Sequence, residues 1–130
     1  MGVFYVDCTV ENIATPEKSA LLELIVDTGS EYTWIPAEIM TEVGVDVRKR
    51  DERFVMANGQ IITRNIGYAI LRVNGFETVD EIVFAQDGDL NLLGAHTLEG
   101  FGAVVDAQRK MLVAAGPHLA ASEAKLLTYA

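Results

Sequence analysis

The sequence predicts a mainly β protein that carries one or two short helices. Apolar residues recur in alternation or in short continuous runs, which is typical of strands, and two Asn-Gly pairs separate such segments. Only two short stretches have the spacing of an amphipathic helix. The chain has 130 residues, 50% of them hydrophobic, which is enough for one domain with a single core. We expect residues 1–115 to form that domain and residues 116–130 to form a C-terminal extension of helix-forming composition.

The first part of the chain begins with two predicted strands. Val3–Val10 alternates between apolar and polar side chains. Leu21–Val26 is apolar except for Glu23, so this strand is expected to be buried on both faces. A short helix should follow Pro36, because proline suits the first turn of a helix, and it should end near Gly44.

Two hairpins are predicted around the pairs Asn58-Gly59 and Asn74-Gly75. This dipeptide is the strongest short-range hairpin signal, because both residues tolerate the positive φ angles of a two-residue turn. The pairs predict four strands, near Arg53–Met56, Gln60–Asn65, Gly67–Val73 and Phe76–Ala85. The stretch Arg48–Arg53 mixes charges of both signs and is expected to be a solvated loop.

The end of the domain should contain a second helix and a final hairpin. After the apolar segment Leu90–Leu93, a short helical pattern covers Ala95–Glu99, and Gly100 is expected to end it. Ala103–Val105 and Lys110–Val113 are then predicted to pair as the two strands of the last hairpin.

The charge and composition argue against several classes of partner. Ten Lys and Arg against 19 Asp and Glu give a net charge of −9, which repels nucleic-acid phosphates and anionic membranes. No apolar run approaches the roughly 20 residues of a membrane span, and we expect no signal peptide. The single cysteine, Cys8, has no internal disulfide partner, so we expect a cytoplasmic protein in which Cys8 is a small core residue.

The residue most suggestive of chemistry is Asp27, which ends a very apolar strand. It is followed by Thr28, Gly29 and Ser30. A carboxylate in this position is costly unless hydrogen bonds hold it, and Gly29 permits a tight turn beside it while both hydroxyls can donate locally. The same pattern also occurs in ordinary turns at strand ends, so the residues alone leave both interpretations open.

In this region the sequence resembles the retropepsin-like aspartic proteases, and the resemblance extends over roughly residues 3–114. Leu24–Ser30 matches the family's signature of apolar residues followed by Asp-Thr/Ser-Gly-Ala/Ser, and Leu92–Ala95 matches its apolar-apolar-Gly motif. The hairpin at Met56–Gln60 lies between the two motifs, where the family carries its substrate-covering flap. The segment Leu93–Glu99, in combination with Val104-Val105-Asp106, is most similar to small prokaryotic members.

The resemblance implies a retropepsin-like acid-protease half-barrel that hydrolyses internal peptide bonds. Asp27 would be catalytic, and because Asp-Thr-Gly occurs once, a homodimer would supply the second aspartate of a dyad that shares one proton. The substrate would be an extended, largely apolar peptide, and no cofactor would be needed. The resemblance also implies active-site support from Thr28, Gly29, Ser30, Leu93 and Gly94, and a flap formed by Met56, Ala57, Asn58, Gly59 and Gln60.

Two features depart from the retroviral members and favour a second interpretation. Ala95 stands where those proteins have an arginine that helps to join the dimer. The predicted flap carries polar Asn58 and Gln60, where their flaps are rich in glycine and isoleucine. A catalytically silent retropepsin-fold module that binds peptides or regulates a partner therefore stays open.

Other candidate sites in the sequence are weaker. His96 and Glu99 have the spacing of one helix face and His118 lies further along, which is too sparse a set for metal ligands, so we expect no metal site. The sequence has neither a Ser-His-Asp ordering typical of a catalytic triad nor a glycine-rich phosphate-binding loop of the known spacing. Trp34 is expected to be a core residue rather than a stacking platform.

Overall fold

Strands account for most of the regular structure in residues 3–120, the part of the chain that the computed structural model describes. Residues 121–130, which carry most of the predicted helical extension, lie outside this range. The elements are β1 (Tyr5–Glu11), β2 (Ser19–Val26), β3 (Thr33–Pro36), α1 (Ala37–Glu42), β4 (Lys49–Val55), β5 (Ile61–Val73), β6 (Phe76–Ala85), β7 (Leu92–Leu93), α2 (Ala95–Phe101), β8 (Ala103–Asp106) and β9 (Met111–Ala114). A mainly β fold with short helices is therefore confirmed. Neither of the described helices is long and apolar enough to cross a membrane.

Seven of these strands form one sheet, in the order β1-β2-β7-β3-β6-β5-β4. Strand β1 also pairs with β5, so the sheet closes into a ring and β4 extends from it as the partner of β5. Strands β8 and β9 form a separate hairpin. The main core contains buried side chains from both helices and most of the strands, among them Leu24, Ile35, Met40, Leu71, Ile82, Leu93 and Leu98.

The strands that carry the two sequence motifs are neighbours in this sheet. Strands β2 and β7 run parallel, with Val26 opposite Leu93. A parallel pair needs a long connection, and here it contains β3 to β6 with helix α1. Both strands end at the same edge of the sheet, so Asp27 and Gly94 come together although they are far apart in sequence.

The prediction that Leu21–Val26 is buried on both faces is wrong. Leu24 is fully buried, whereas Leu21 is 70% exposed and the end of the strand is only partly covered. The β1–β2 ladder has one face on the core and the other toward solvent, so successive side chains alternate between them. Part of the apolar surface of β2 therefore stays uncovered in this chain.

The mixed-charge stretch Arg48–Arg53 belongs mostly to a strand and not to the solvated loop that its composition suggested. Strand β4 pairs with β5 and has a bulge between Lys49 and Glu52. There Asp51 adopts a φ of 54°, and its amide donates to Asn65 Oδ1 (3.1 Å). Strand β4 and its partner residues 61–66 of β5 form a two-stranded arm, in which β4 is largely exposed. Charged residues can therefore occupy strand positions in β4, and they hide the alternation of apolar and polar side chains that identifies a strand.

Two predicted element boundaries are also wrong. Residues 61–73 form one continuous strand, because Gly67 stays in the ladder with β6 and leaves room for the neighbouring Asp46 carbonyl. Helix α2 continues through Gly100 to Phe101 and ends at Gly102, whose φ of 68° is the left-handed conformation typical of a helix end. Gly100 instead lies against Thr78 of β6, so its role is close packing.

Cys8 and Trp34 are both buried, as predicted. Cys8 has no exposed surface, and burial raises the pKa of its thiol to about 12, so it is a core residue without thiolate chemistry at neutral pH. Trp34 is 7% exposed and packs in a second apolar cluster with Ile66, Val83 and Leu92.

Replacing Gly100 with alanine should destabilise the fold, because helix α2 packs closely on β6. The added Cβ would lie 2.3 Å from Thr78 Oγ1 and 3.0 Å from Thr78 Cβ. Overpacking of this severity costs about 3 kcal/mol, which outweighs the gain of about 1 kcal/mol in helix propensity. The measurement is the free energy of unfolding in urea. The double variant with Thr78→Ala should recover part of the loss, and a single variant as stable as the wild type would contradict the close packing.

Candidate functional site

Asp27 directly follows β2, and its main chain is fixed on both sides. Its amide donates to the Leu93 carbonyl (3.0 Å), which continues the parallel pairing of β2 with β7. One carboxylate oxygen accepts a hydrogen bond from the Gly29 amide (2.9 Å), and the Ser30 amide donates to the Asp27 carbonyl (3.3 Å). The turn that follows Asp27 therefore orients its partly buried carboxylate.

The start of helix α2 is joined to the same turn. The Ala95 amide donates to the Ser30 carbonyl (2.7 Å), and the His96 amide donates to the Glu31 carbonyl (3.0 Å). Gly94 is needed for this approach, because a Cβ at that position would lie 2.3 Å from the carbonyl oxygen of Tyr32. The glycine of the apolar-apolar-Gly motif thus allows the two motifs to be in direct contact.

A cleft of about 720 Å³ opens beside Asp27. Its lining includes Gly29 and Ser30, the aromatic residues Tyr32, Trp34 and Phe54, the charged residues Glu31, Glu52, Arg53 and Asp89, and the hairpin residues Val55, Met56 and Ala57. The cleft thus combines an aromatic surface with several charged groups, a composition suited to a ligand with both apolar and polar parts.

The predicted site residues divide between the cleft and its surroundings. Those that line it are Asp27, Gly29, Ser30, Met56 and Ala57. The others lie outside the lining: Thr28 is exposed, Leu93 and Gly94 are buried, and Asn58, Gly59 and Gln60 are exposed at the end of the hairpin. The structure thus brings the aspartate and the first part of the hairpin to one cavity, and leaves the tip of the hairpin outside it.

The hairpin tip is not the two-residue turn that its Asn-Gly pair predicted. Only Gly59 has positive φ (85°), and the amides of Gly59 and Met56 donate to the carbonyls of Met56 and Gln60, both at 2.8 Å. This is a three-residue loop in which a type I turn is followed by a left-handed glycine. Asn58 instead accepts the Gln60 amide on its side chain (2.9 Å). The second pair, Asn74-Gly75, does have positive φ at both residues, as predicted.

Three aromatic side chains that line the cleft connect β3 and the residue before it to the arm. The Phe54 ring makes edge contacts with Trp34 and Tyr32, with centroids 5.1 Å and 5.6 Å apart, and Tyr32 also contacts His96. Burial and the nearby Glu81 carboxylate raise the pKa of Tyr32, so its hydroxyl keeps its proton at neutral pH. Sequence reasoning missed this cluster, because its members come from two distant segments.

A two-point ion pair joins the arm to the loop before β7. Arg64 Nε and Nη2 donate to the two carboxylate oxygens of Asp89, at 2.7 Å and 2.9 Å. Asp89 also accepts the Gln86 amide (2.8 Å), which closes the turn that it ends. The loop bordering the cleft is therefore attached to the arm by a geometry that is specific to arginine. Among residues 3–120, no group of three or more His, Cys, Asp or Glu could hold a metal ion.

The chain is similar to known proteins in sequence and in fold. A family model described as "gag-polyprotein putative aspartyl protease" matches residues 18–100. This match covers more than half of the sequence, so the chain belongs to the retropepsin-like aspartic protease family. No curated protein matches the sequence significantly.

Solved structures show the same fold. The retroviral protease-like domain of Ddi1 from Leishmania major aligns with a TM-score of 0.56 and 19% identity, over 90% of this chain and 91% of that chain. A retropepsin-like aspartic protease from Rickettsia conorii aligns with a TM-score of 0.51 and 21% identity, over 81% and 77% of the two chains. The predicted retropepsin-like fold is therefore confirmed.

The Arg64–Asp89 pair should stabilise the fold above acidic pH only. Hydrogen bonds from Arg64 hold the pKa of Asp89 below its ordinary value of 3.8. Folding therefore favours the ionised carboxylate, and this stabilisation is complete above pH 3.8 and is lost as the pH falls through the lowered pKa. Asp89→Asn should cost about 1–3 kcal/mol at neutral pH, and the difference from the wild type should shrink below about pH 4.

Urea unfolding across the pH range measures this difference directly. The matched control is Asp87→Asn, which changes an exposed carboxylate of the same turn and should have little effect at any pH. A stability difference for Asp89→Asn that stays constant down to the lowest pH would show that the ion pair is not its source.

Proposed function

We propose that this chain is an aspartic endopeptidase that hydrolyses internal peptide bonds in the cleft beside Asp27. The observation that carries the proposal is a partly buried carboxylate, oriented by its own turn, at the wall of an open cleft with aromatic and hairpin residues around it. Membership of the retropepsin-like family agrees with this chemistry. Thr28 and the residues around Gly94 are proposed to support the aspartate, and the hairpin at residues 56–60 is proposed to cover the substrate.

Peptide hydrolysis by carboxylates needs two such groups around one water molecule. One acts as a base that takes a proton from the attacking water, and the other acts as an acid that gives its proton to the peptide carbonyl oxygen. When the C–N bond breaks, the proton taken from water passes to the leaving amine, and the carbonyl hydroxyl returns its proton to the dyad. Two carboxyl groups that share one water molecule repel each other strongly when both are ionised, so the pair holds one proton. The water attacks directly, and no bond forms between protein and substrate.

The second carboxylate is proposed to come from a second copy of the chain. Asp-Thr-Gly occurs once in the sequence. Of the other carboxylates in the cleft, Asp89 is bound by Arg64, and Glu31 and Glu52 are exposed side chains without the turn that orients Asp27. A twofold dimer would bring the two Asp27 residues together, and exposed Thr28 is available for contact with the partner.

The proposed substrate is an extended peptide with apolar side chains. Val55 of the arm and Leu90 of the loop line the cleft, yet are 74% and 64% exposed, so they offer uncovered apolar surface to a ligand. Trp34 and Phe54 add apolar surface to the same lining. An extended peptide can also pair its main chain with that of the hairpin.

Asp27→Asn should abolish peptide hydrolysis and leave the fold intact, because the amide keeps the shape of the carboxylate but cannot exchange the proton.

Excess Asp27→Asn chain should also inhibit the wild type through mixed dimers, and dilution should lower specific activity as dimers dissociate. The measurements are cleavage of an unstructured peptide mixture, mapped by mass spectrometry, and sedimentation over the same dilution series. A monomer that cleaves at constant specific activity would overturn the shared dyad. A monomer that binds peptides without cutting them would favour the silent binding module.

Peptides with basic flanking residues should be cut faster than acidic ones of otherwise identical sequence. Glu31 and Glu52 line the cleft and take part in none of the ion pairs formed within residues 3–120, whereas Arg53 is a single opposing charge there. The net charge of −9 acts in the same direction. We expect kcat/KM to favour lysine over glutamate flanks about tenfold at low salt, and the ratio to approach one near 1 M salt. The double variant Glu31→Gln, Glu52→Gln should reduce this preference, and an unchanged ratio would assign it to other groups.

A further inference from the structure

A chain of hydrogen bonds runs behind the Asp27 turn, through residues that the proposed chemistry does not use. The Gly94 amide donates to Thr33 Oγ1 (3.0 Å), the hydroxyl oxygens of Thr33 and Thr97 lie 2.5 Å apart, and Thr97 Oγ1 donates to Asp80 Oδ2 (2.7 Å). Thr33 and Thr97 are the two fully buried polar residues of the described chain. This series of hydrogen bonds therefore extends from buried Gly94 to the partly buried carboxylate of Asp80 on β6.

The direction of each hydrogen bond follows from the carboxylate at one end. An ionised carboxylate only accepts hydrogen bonds, so the single hydroxyl proton of Thr97 is used on Asp80. Thr97 Oγ1 must then accept the proton of Thr33, and Thr33 Oγ1 is left to accept from the Gly94 amide. Asp80 thus determines which way both buried hydroxyl groups point.

The far end of this chain lies next to the groups that hold Asp27. On one side of Gly94, the Leu93 carbonyl accepts the Asp27 amide, and on the other side the Ala95 amide donates to Ser30. A shift of the Gly94 peptide would therefore move both main-chain contacts of the Asp27 turn.

Asp80 itself is well fixed for this role. Its other carboxylate oxygen accepts the Glu81 amide (2.7 Å), and the close packing of Gly100 on Thr78 brings helix α2 within reach of β6. Apolar side chains of similar size could fill the same space without needing hydrogen-bond partners. The polar chain therefore supplies orientation in addition to packing.

We propose that Asp80 is a positioning residue for the Asp27 turn, acting through Thr97 and Thr33 on the Gly94 peptide. Its effect on catalysis rests on the function proposed above, whereas its effect on the geometry of the turn does not. The two effects can be measured separately.

The test compares four variants with the wild type. Asp80→Ala removes the final acceptor. Thr97→Val and Thr97→Ser are a matched pair, because valine keeps the shape without the hydroxyl and serine keeps the hydroxyl. Glu77→Ala is the control on the same strand, because its exposed side chain forms an ion pair with Arg72. The readouts are amide hydrogen exchange at Gly94 and Asp27, measured relative to Leu71 in the core, and kcat and KM for peptide hydrolysis.

For Asp80→Ala and Thr97→Val we expect exchange at both amides to be about tenfold faster relative to Leu71. We also expect kcat to fall roughly 10- to 100-fold with little change in KM, because a small displacement of a reacting group has effects of this size. Thr97→Ser and Glu77→Ala should resemble the wild type. Unchanged exchange at Asp27 in both disruptive variants, or unchanged kcat in an active enzyme, would overturn the proposal. If the wild type cuts no peptide, the proposed function fails, and exchange at Asp27 alone decides: faster exchange supports the positioning role and unchanged exchange refutes it.

Discussion

The parallel pairing of β2 with β7 is the constraint on which the candidate site depends. It is a short contact, Ile25 and Val26 against Leu92 and Leu93, yet it continues into the hydrogen bond between the Asp27 amide and the Leu93 carbonyl. The glycine that follows β7 then allows helix α2 to begin against the Asp27 turn. Without this register the two motifs would be separate turns at the ends of separate strands. The closed ring of strands can be understood as the framework that keeps this short pairing in place.

The features that could be predicted from the sequence are those that depend on residues close together along the chain. The apolar strand before Asp27, the turn around Gly29 and the helix that starts after Pro36 each depend on side chains within a few positions of one another. The same holds for the Asn74-Gly75 turn, whose two positive φ angles are a local property. The sequence identified Asp27 as a candidate site residue for the same reason, because its carboxylate is oriented by the Gly29 amide two residues away.

The features that the sequence did not predict depend on partners distant along the chain. Nothing near Thr97 indicates that its hydroxyl binds Asp80, and nothing near Arg64 indicates Asp89. The first part of strand β4, residues 49–52, was missed because the arm is exposed there and can carry charged residues at strand positions. A helix end was misplaced because Gly100 has a packing role that a local pattern cannot distinguish from a stop signal.

The position of Trp34 makes the cleft accessible to spectroscopy. It is the only tryptophan of the chain, it lines the cleft, and its ring contacts Phe54 on the arm. Its emission therefore comes from the cavity itself, without background from other indoles. A peptide that enters the cleft, or an arm that moves away from the cleft floor, changes the polarity around this one ring. Occupancy of the cleft can thus be followed in unlabelled protein, independently of whether any bond is cut.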